Sequence, residues 1–230
     1  MADPSELEIV VGARGGLGAA LVETMTARAT RTVIGLARDT SPALDLLDET
    51  SIQNAAQSIE AMGTLRTLII ATGFLHGNGI MPEKALRQLD ASAMAHLYAV
   101  NTIGPALVLK HFLPLLPHAE PSHVAVLSAR VGSIGDNRLG GWHSYRAAKA
   151  ALNQIVRTSA IELARTRSRA ILVAVHPGTL DTSLSAPFAR TGLTVQDPRD
   201  AAVDILTMLE RLTPDDSGLF LDRHGQRLPA

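Results

Sequence analysis

Six short runs of aliphatic and β-branched residues recur along the chain, each separated from the next by a longer stretch with helical patterning. They read LEIVVG (7–12), TVIGLA (32–37), TLIIAT (67–72), HVAVLS (123–128), AILVAVH (170–176) and GLFLD (218–222). Their apolarity is continuous rather than alternating, which is the pattern of parallel strands covered on both faces. The helical stretches between and after them span 17–28, 51–62, 91–116, 145–165 and 198–212. The last opens on DPRD, an Asp at the N-cap with Pro at the first helical position. A further short strand is expected at 43–46. The βα alternation fills all 230 residues without a repeat or linker. It predicts one α/β domain over 1–230, a doubly wound parallel sheet with helices on both faces. Two long loops, 73–90 and 179–196, follow strand carboxyl ends, where such sheets bind ligands.

Composition removes several function classes. With 21 basic and 22 acidic residues, net charge −1, there is no electrostatic case for nucleic acid or an anionic membrane. The basic stretch ARTRSRA (164–170) falls at a helix C-terminus, where cations suit the dipole. There is no cysteine, so thiolate chemistry is excluded. The eight histidines lack metal-ligand spacing, and no metal site is expected. The N-terminal MADPSELEIVVG has neither the basic nor the apolar segment of a signal peptide, and no apolar run is expected to span a bilayer. These observations predict a cytoplasmic protein. An aromatic content of 3% predicts a pocket lined mainly by aliphatic groups.

Between the first strand and first helix lies VVGARGGLGAALVE, with Gly12, Gly15, Gly16 and Gly18. A turn that brings backbone close to a pyrophosphate, with a helix N-terminus aimed at it, requires such residues. The spacing is neither GxGxxG nor a P-loop. Farther on, SYRAAKAALN places Tyr145 four residues before Lys149, in a chain with two tyrosines and three lysines. On a helix the two share a face. A phenol is a poor acid near neutral pH, and a nearby ammonium lowers its pKa. That combination suits proton donation to the alkoxide formed when hydride reaches a carbonyl.

The glycine turn together with Tyr-x3-Lys resembles the signature of the short-chain dehydrogenase/reductases. The resemblance covers essentially the whole chain and implies a single Rossmann-like domain and an NAD(P)-dependent oxidoreductase. Gly12, Arg14, Gly16, Leu17 and Gly18 would then contact the cofactor, with Val11 standing where the family usually has Thr. At the end of the second strand Ala37 holds the position of an NAD-selecting acid and Arg38 follows it, which points to NADP, with NAD the alternative. Arg14 is a possible second cation toward the 2′-phosphate. The family's adenine site maps to Asp45 and Leu46, for which a turn role is the alternative. Its third-strand Asn-Asn-Ala-Gly is replaced by Ile70, Ala71, Thr72 and Gly73, of which the last three remain near the cofactor. Asn101 corresponds to the relay asparagine. Pro177, Gly178, Thr179 and Thr182 correspond to the segment that holds the nicotinamide carboxamide. Lys149 would also hold the nicotinamide ribose.

The serine is open. The family pattern is Ser-Ser, the second acting on the substrate oxygen. Here Ser128 is followed by Ala129, so Ser128 takes the role, Ser133 reaches in from the loop, or the hydroxyl is missing. The stretches ATGFLHG, PEKALRQLD and GSIGDNRLGGWHSYRAAKAALN resemble the family's C-factor-type branch of cell–cell signalling proteins. Together the features imply a carbonyl reductase or alcohol dehydrogenase acting on a small carbonyl or alcohol. A homodimer or homotetramer is implied by the resemblance. A dinucleotide-binding regulatory protein with little turnover is the competing expectation.

Overall fold

The computed structural model describes residues 5–188 and 195–230. Part of the predicted 179–196 loop therefore lies outside the described residues. Six parallel strands form one sheet, in the order β2-β1-β3-β4-β5-β6. They are β1 (Glu6–Val11), β2 (Thr32–Leu36), β3 (Thr64–Ile70), β4 (Ser122–Leu127), β5 (Ala170–His176) and β6 (Phe220–Asp222). The helices are α1 (Gly16–Arg28), α2 (Glu49–Met62), α3 (Ala91–Tyr98), α4 (Gly104–Phe112), α5 (His143–Thr166) and α6 (Pro198–Leu209).

The predominant apolarity of the strands has a direct structural cause. Leu7, Ile9 and Val11 of β1 face a core built with α2, α4 and α5, to which Ile52, Phe112 and Leu152 contribute. Val10 of the same strand, with Ile69, Ala125 and Val173, faces a second core under α1 and α6, formed with Leu21, Met25 and Ile205. Successive strand residues thus enter opposite cores, and both need to be apolar.

Three expectations are corrected. No strand forms at 43–46: Leu44 donates its N–H to Ala37 O (2.8 Å), and Asp45 accepts from Leu47 N–H (3.0 Å) as a turn residue. The predicted helix 91–116 is interrupted by a π-helical turn, Ala99–Ile103, between α3 and α4. A π-turn inserts a residue into the helical ladder, a local change that 3.6-residue periodicity does not reveal. Finally, the stretch Ala91–Leu115 is by length and composition apolar enough to cross a membrane, contrary to the sequence expectation. In the fold its Val108, Leu109 and Phe112 are buried in the sheet core.

Candidate active site

The glycine turn leaves β1 at Gly12, whose φ of 89° is the left-handed region. A Cβ there would stand 2.9 Å from Thr72 Cγ2 and 3.0 Å from Ala71 O, so only glycine lets β1 and the end of β3 approach this closely. Gly18 is tighter still, since a Cβ would fall 2.1 Å from Gly12 O. The first turn of α1 thus packs directly on the loop before it. Gly15 caps α1 without a side-chain hydrogen bond, so the helix's opening N–H groups have no side-chain cap to satisfy them. A Cβ on Gly16 would meet Thr182 Cγ2 at 2.7 Å, which sets the glycine turn against the segment after β5.

A cavity of about 880 Å³ opens along the carboxyl ends of the strands. Gly16 and Leu17, Ala71 to Gly73, Ser128, Tyr145, Lys149, Pro177 to Thr179 and Thr182 all line it. Gly12, Arg14, Gly18, Arg38, Asp45, Leu46 and Asn101 lie outside its lining. Gly12 and Gly18 shape the turn from behind. Arg38 is exposed and makes no side-chain hydrogen bond or ion pair among the described residues. Arg14 instead pairs with Asp39 (3.1 Å) at the surface, and the guanidinium holds the Asp39 carboxyl below its usual range. Leu46 packs on Gly104, where a Cβ would come within 2.9 Å of Leu46 Cβ.

α5 carries Tyr145 and Lys149 into the cavity wall. Both are buried. The tyrosine hydroxyl makes no hydrogen bond among the described residues, and Lys149 Nζ donates to Leu127 O (2.9 Å). The ammonium stands 6.0 Å from the centre of the tyrosine ring. Burial pushes the Tyr145 phenol above its ordinary value and the Lys149 ammonium down to about 8. The expected lowering of the phenol by the lysine is therefore outweighed in the chain alone. Desolvation disfavours the charged form of each group, and both sit in the same dry wall.

Asn101 lies in the π-turn and is fully buried. Its Nδ2 donates to Phe74 O (2.8 Å) and Leu97 O (3.0 Å), and its Oδ1 accepts from Phe74 N–H (3.0 Å). The side chain braces the segment after β3 against the helix. A Cβ on Gly73 would lie 3.6 Å from Asn101 Oδ1 and 3.9 Å from Lys149 Nζ, so this glycine sits between the two groups.

Neither serine stands opposite Tyr145 with a free hydroxyl. Ser128 lines the cavity but donates to Asn153 Oδ1 (2.6 Å), one helical turn beyond Lys149. Ser133 is outside the cavity lining, accepts from Asp136 N–H (3.0 Å) and donates to Ala230 O (3.4 Å). Ala129 packs in the cluster around Tyr145.

Two features escaped the sequence. The first is the aromatic wall. Four of the chain's seven Phe, Trp and Tyr residues (Phe74, Trp142, Tyr145 and Phe188) line the cavity, beside the expected aliphatic lining, to which Leu17, Leu75, Leu127, Val131, Leu180 and Leu184 contribute. Phe74 and Phe188 are distant in sequence from Trp142 and Tyr145, and a low total says nothing of where the few gather. The second is Glu83, buried in the loop after β3. Its carboxylate accepts from the Ser144 hydroxyl and from Ser144 N–H (3.3 Å), and its carbonyl accepts from Trp142 N–H (2.5 Å). It therefore satisfies the N-terminus of α5 immediately before Tyr145. The available signal was a negative one: Trp142 cannot cap a helix, so a partner had to come from elsewhere.

The residues fit a bound dinucleotide. Thr72 Oγ1, His176 Nδ1 and Gln196 Oε1 are buried without a hydrogen-bond partner among the described residues, and Thr72 and His176 line the cavity. Buried polar atoms of that kind are satisfied by ordered water or by a ligand, and those in the cavity stand where a dinucleotide would lie. Among the described residues no group of His, Cys, Asp or Glu is arranged to hold a metal. A parallel sheet with a glycine turn at its first crossover and a buried Tyr-Lys pair at its carboxyl edge defines an NAD(P)-dependent oxidoreductase.

The chain belongs to the short-chain dehydrogenase family, whose sequence model matches residues 7–191. It is 34% identical over 145 residues to the C-signal protein of Myxococcus xanthus, covering 63% of this chain and 83% of that one. It is 29% identical over 184 residues to 1-hydroxy-2-glutathionyl-2-methyl-3-butene dehydrogenase of Rhodococcus sp. (strain AD45), covering 80% and 77%. Among solved structures, an NADPH-bound carbonyl reductase from chicken fatty liver superposes with TM-score 0.83 at 25% identity over the full length of both chains. Carbonyl reductase Sniffer of D. melanogaster does so with TM-score 0.84 at 20% identity, covering 99% and 100%; that likeness concerns the fold.

Proposed function

We propose that the protein is an NADPH-dependent carbonyl reductase, with Tyr145 as the proton donor. The observation that carries this reading is the shared cavity: the Tyr145 and Lys149 side chains line the same cleft as Gly16, Thr72 and Pro177–Thr179. The reduced nicotinamide supplies a hydride to the substrate carbon. Tyr145 gives its proton to the oxygen that gains charge. Burial keeps the phenol protonated, which is the loaded form for reduction at neutral pH. Lys149 holds the cofactor ribose and, when charged, stabilises the phenolate left behind. Asn101 keeps the π-turn and the segment after β3 in register beside Lys149. Gly16, Leu17 and the open α1 terminus receive the pyrophosphate. Thr72 and Gly73 lie along the cofactor, and Pro177, Gly178, Thr179 and Thr182 hold the carboxamide end.

Arg38, exposed and unpaired among the described residues, is the group for the 2′-phosphate, with Arg14 joining if it exchanges Asp39 for the ligand. Asp45, already used by Leu47 N–H, contributes to the adenine side mainly through the turn it forms. Ser128 supplies a hydroxyl only if it leaves Asn153. One domain, and a homodimer or homotetramer, complete the reading. The test is NADPH oxidation with a panel of aldehydes and ketones, using Tyr145→Phe as the control. Loss of turnover of roughly 100-fold or more with NADPH binding retained supports the assignment; unchanged turnover refutes it.

A second reading, a dinucleotide-binding regulatory protein with little turnover, is favoured by Ala129 at the hydroxyl position and by the likeness to C-signal. Tight NADPH binding with no consumption across the carbonyl panel would select it.

A further inference from the structure

Trp142 stands at the N-cap of α5 with φ 52° and ψ 41°. It follows Gly140 and Gly141, with φ of 62° and 64°, so three successive residues are left-handed. For the two glycines this conformation is easy. For a tryptophan it is strained and persists only where the surroundings enforce it. Here the enforcement is the hydrogen bond from Trp142 N–H to Glu83 O (2.5 Å), next to the Glu83–Ser144 contacts. A third glycine would make the turn without strain. The strain at this position points to a role for the indole in the cavity.

What it does is continue an aromatic wall from the acid outward. Its ring meets the Tyr145 ring edge to face at 6.2 Å and the Phe188 ring at 5.1 Å. Phe188 in turn meets His76 at 5.4 Å. Ala129 and Val131 pack in the same cluster, so the ground beside Tyr145 is apolar. Two of the charges nearby are already partnered: Arg146 donates to Gly141 O and Val131 O, and Arg130 pairs with Asp136 (2.7 Å). Asp136, the one carboxylate in the lining among the described residues, is thus already paired. An aromatic wall can also attract a cationic ligand, but the arginines Arg130, Arg138 and Arg146 in the lining oppose that.

We propose that Trp142 is the specificity-determining residue of the substrate half, and that it selects a carbonyl borne on a flat aryl or ring-conjugated group. Edge-to-face contacts with such a ring reward planarity over bulk. The inference rests on the carbonyl-reductase reading above.

The test compares benzaldehyde with butanal as NADPH-consuming substrates for the wild type, Trp142→Leu and Trp142→Phe, with folding checked by thermal melting and NADPH binding. Leucine keeps apolar bulk without a ring, and phenylalanine keeps a ring. The wild type should favour benzaldehyde. The leucine variant should lose roughly tenfold or more of that preference in kcat/KM, and the phenylalanine variant should keep most of it. Equal preference in all three proteins, with both aldehydes reduced, overturns the inference and leaves the carbonyl-reductase reading standing. A folded wild type that binds NADPH and reduces no carbonyl overturns both.

Discussion

Replacing Lys149 by methionine should make the protein more stable at neutral pH while removing its activity. The ammonium is buried and hydrogen-bonded only to Leu127 O. Burial takes its pKa from 10.5 to about 8, which corresponds to roughly 3 kcal/mol held against the folded state at pH 7. Methionine keeps the length and apolar stem and removes the charge. It also forfeits the bond to Leu127 O, a loss of about 1–2 kcal/mol. The net gain at pH 7 is about 1–2 kcal/mol, or a few degrees in melting temperature for a chain of this size. The sign of its pH dependence follows from linkage. Between pH 8 and 10.5 the unfolded chain binds the proton that the folded lysine has released, so wild-type stability from this group rises with pH through that window. The penalty is fully present below it. The advantage of the methionine variant should therefore shrink by about 2 kcal/mol between pH 7 and pH 9.5. Thermal melting by circular dichroism at the two pH values, with NADPH oxidation measured in parallel, reads all three effects. A variant that melts below the wild type at pH 7, or a difference that stays constant with pH, would falsify the claim that the ammonium is held at a cost.

Three further outcomes are expected. Arg38→Asp should weaken NADPH binding by roughly tenfold or more while affecting NADH far less; equal losses measured by fluorescence titration would remove Arg38 from the 2′-phosphate. Gly18→Ala places a Cβ 2.1 Å from Gly12 O and should destabilise the turn by several kcal/mol, abolishing cofactor binding; a variant that melts and binds like the wild type contradicts the packing described. Ala129→Ser restores a hydroxyl beside Tyr145 and should raise kcat by about tenfold or more, whereas Ser128→Ala, with its hydroxyl turned to Asn153, should change kcat less than threefold or so. The reverse ranking would return the substrate-oxygen contact to Ser128.

The sheet was readable because its central strands are covered on both faces, which makes most of their positions apolar and marks each strand without reference to its partners. The segment 43–46 misled for a related reason: Leu44 is buried, as a strand residue would be, yet its backbone N–H goes to Ala37 O within a turn. Tyr145 and Lys149 were legible because a helix turns spacing into position. Glu83 and Ser144, 61 residues apart, were not, since nothing local relates an acidic residue in one loop to the start of a helix in another. The aromatic wall is of the same kind. Ser128 marks an intermediate case: its place at the end of β4 was legible, but the direction of its hydroxyl depends on Asn153.

The strand order has a consequence for how the protein is made. All neighbouring strands are parallel, so none can close as a hairpin and each pairing waits for a crossover. Gly16 leaves the ribosome before Thr182, against which it packs, by about 10–30 seconds at ordinary synthesis rates. α6, which covers one core, follows later still. Through that interval the nascent chain carries apolar strands with one face uncovered, and has no complete dinucleotide cleft to occupy. A pyridine nucleotide can thus stabilise the finished protein by mass action but cannot template its early folding.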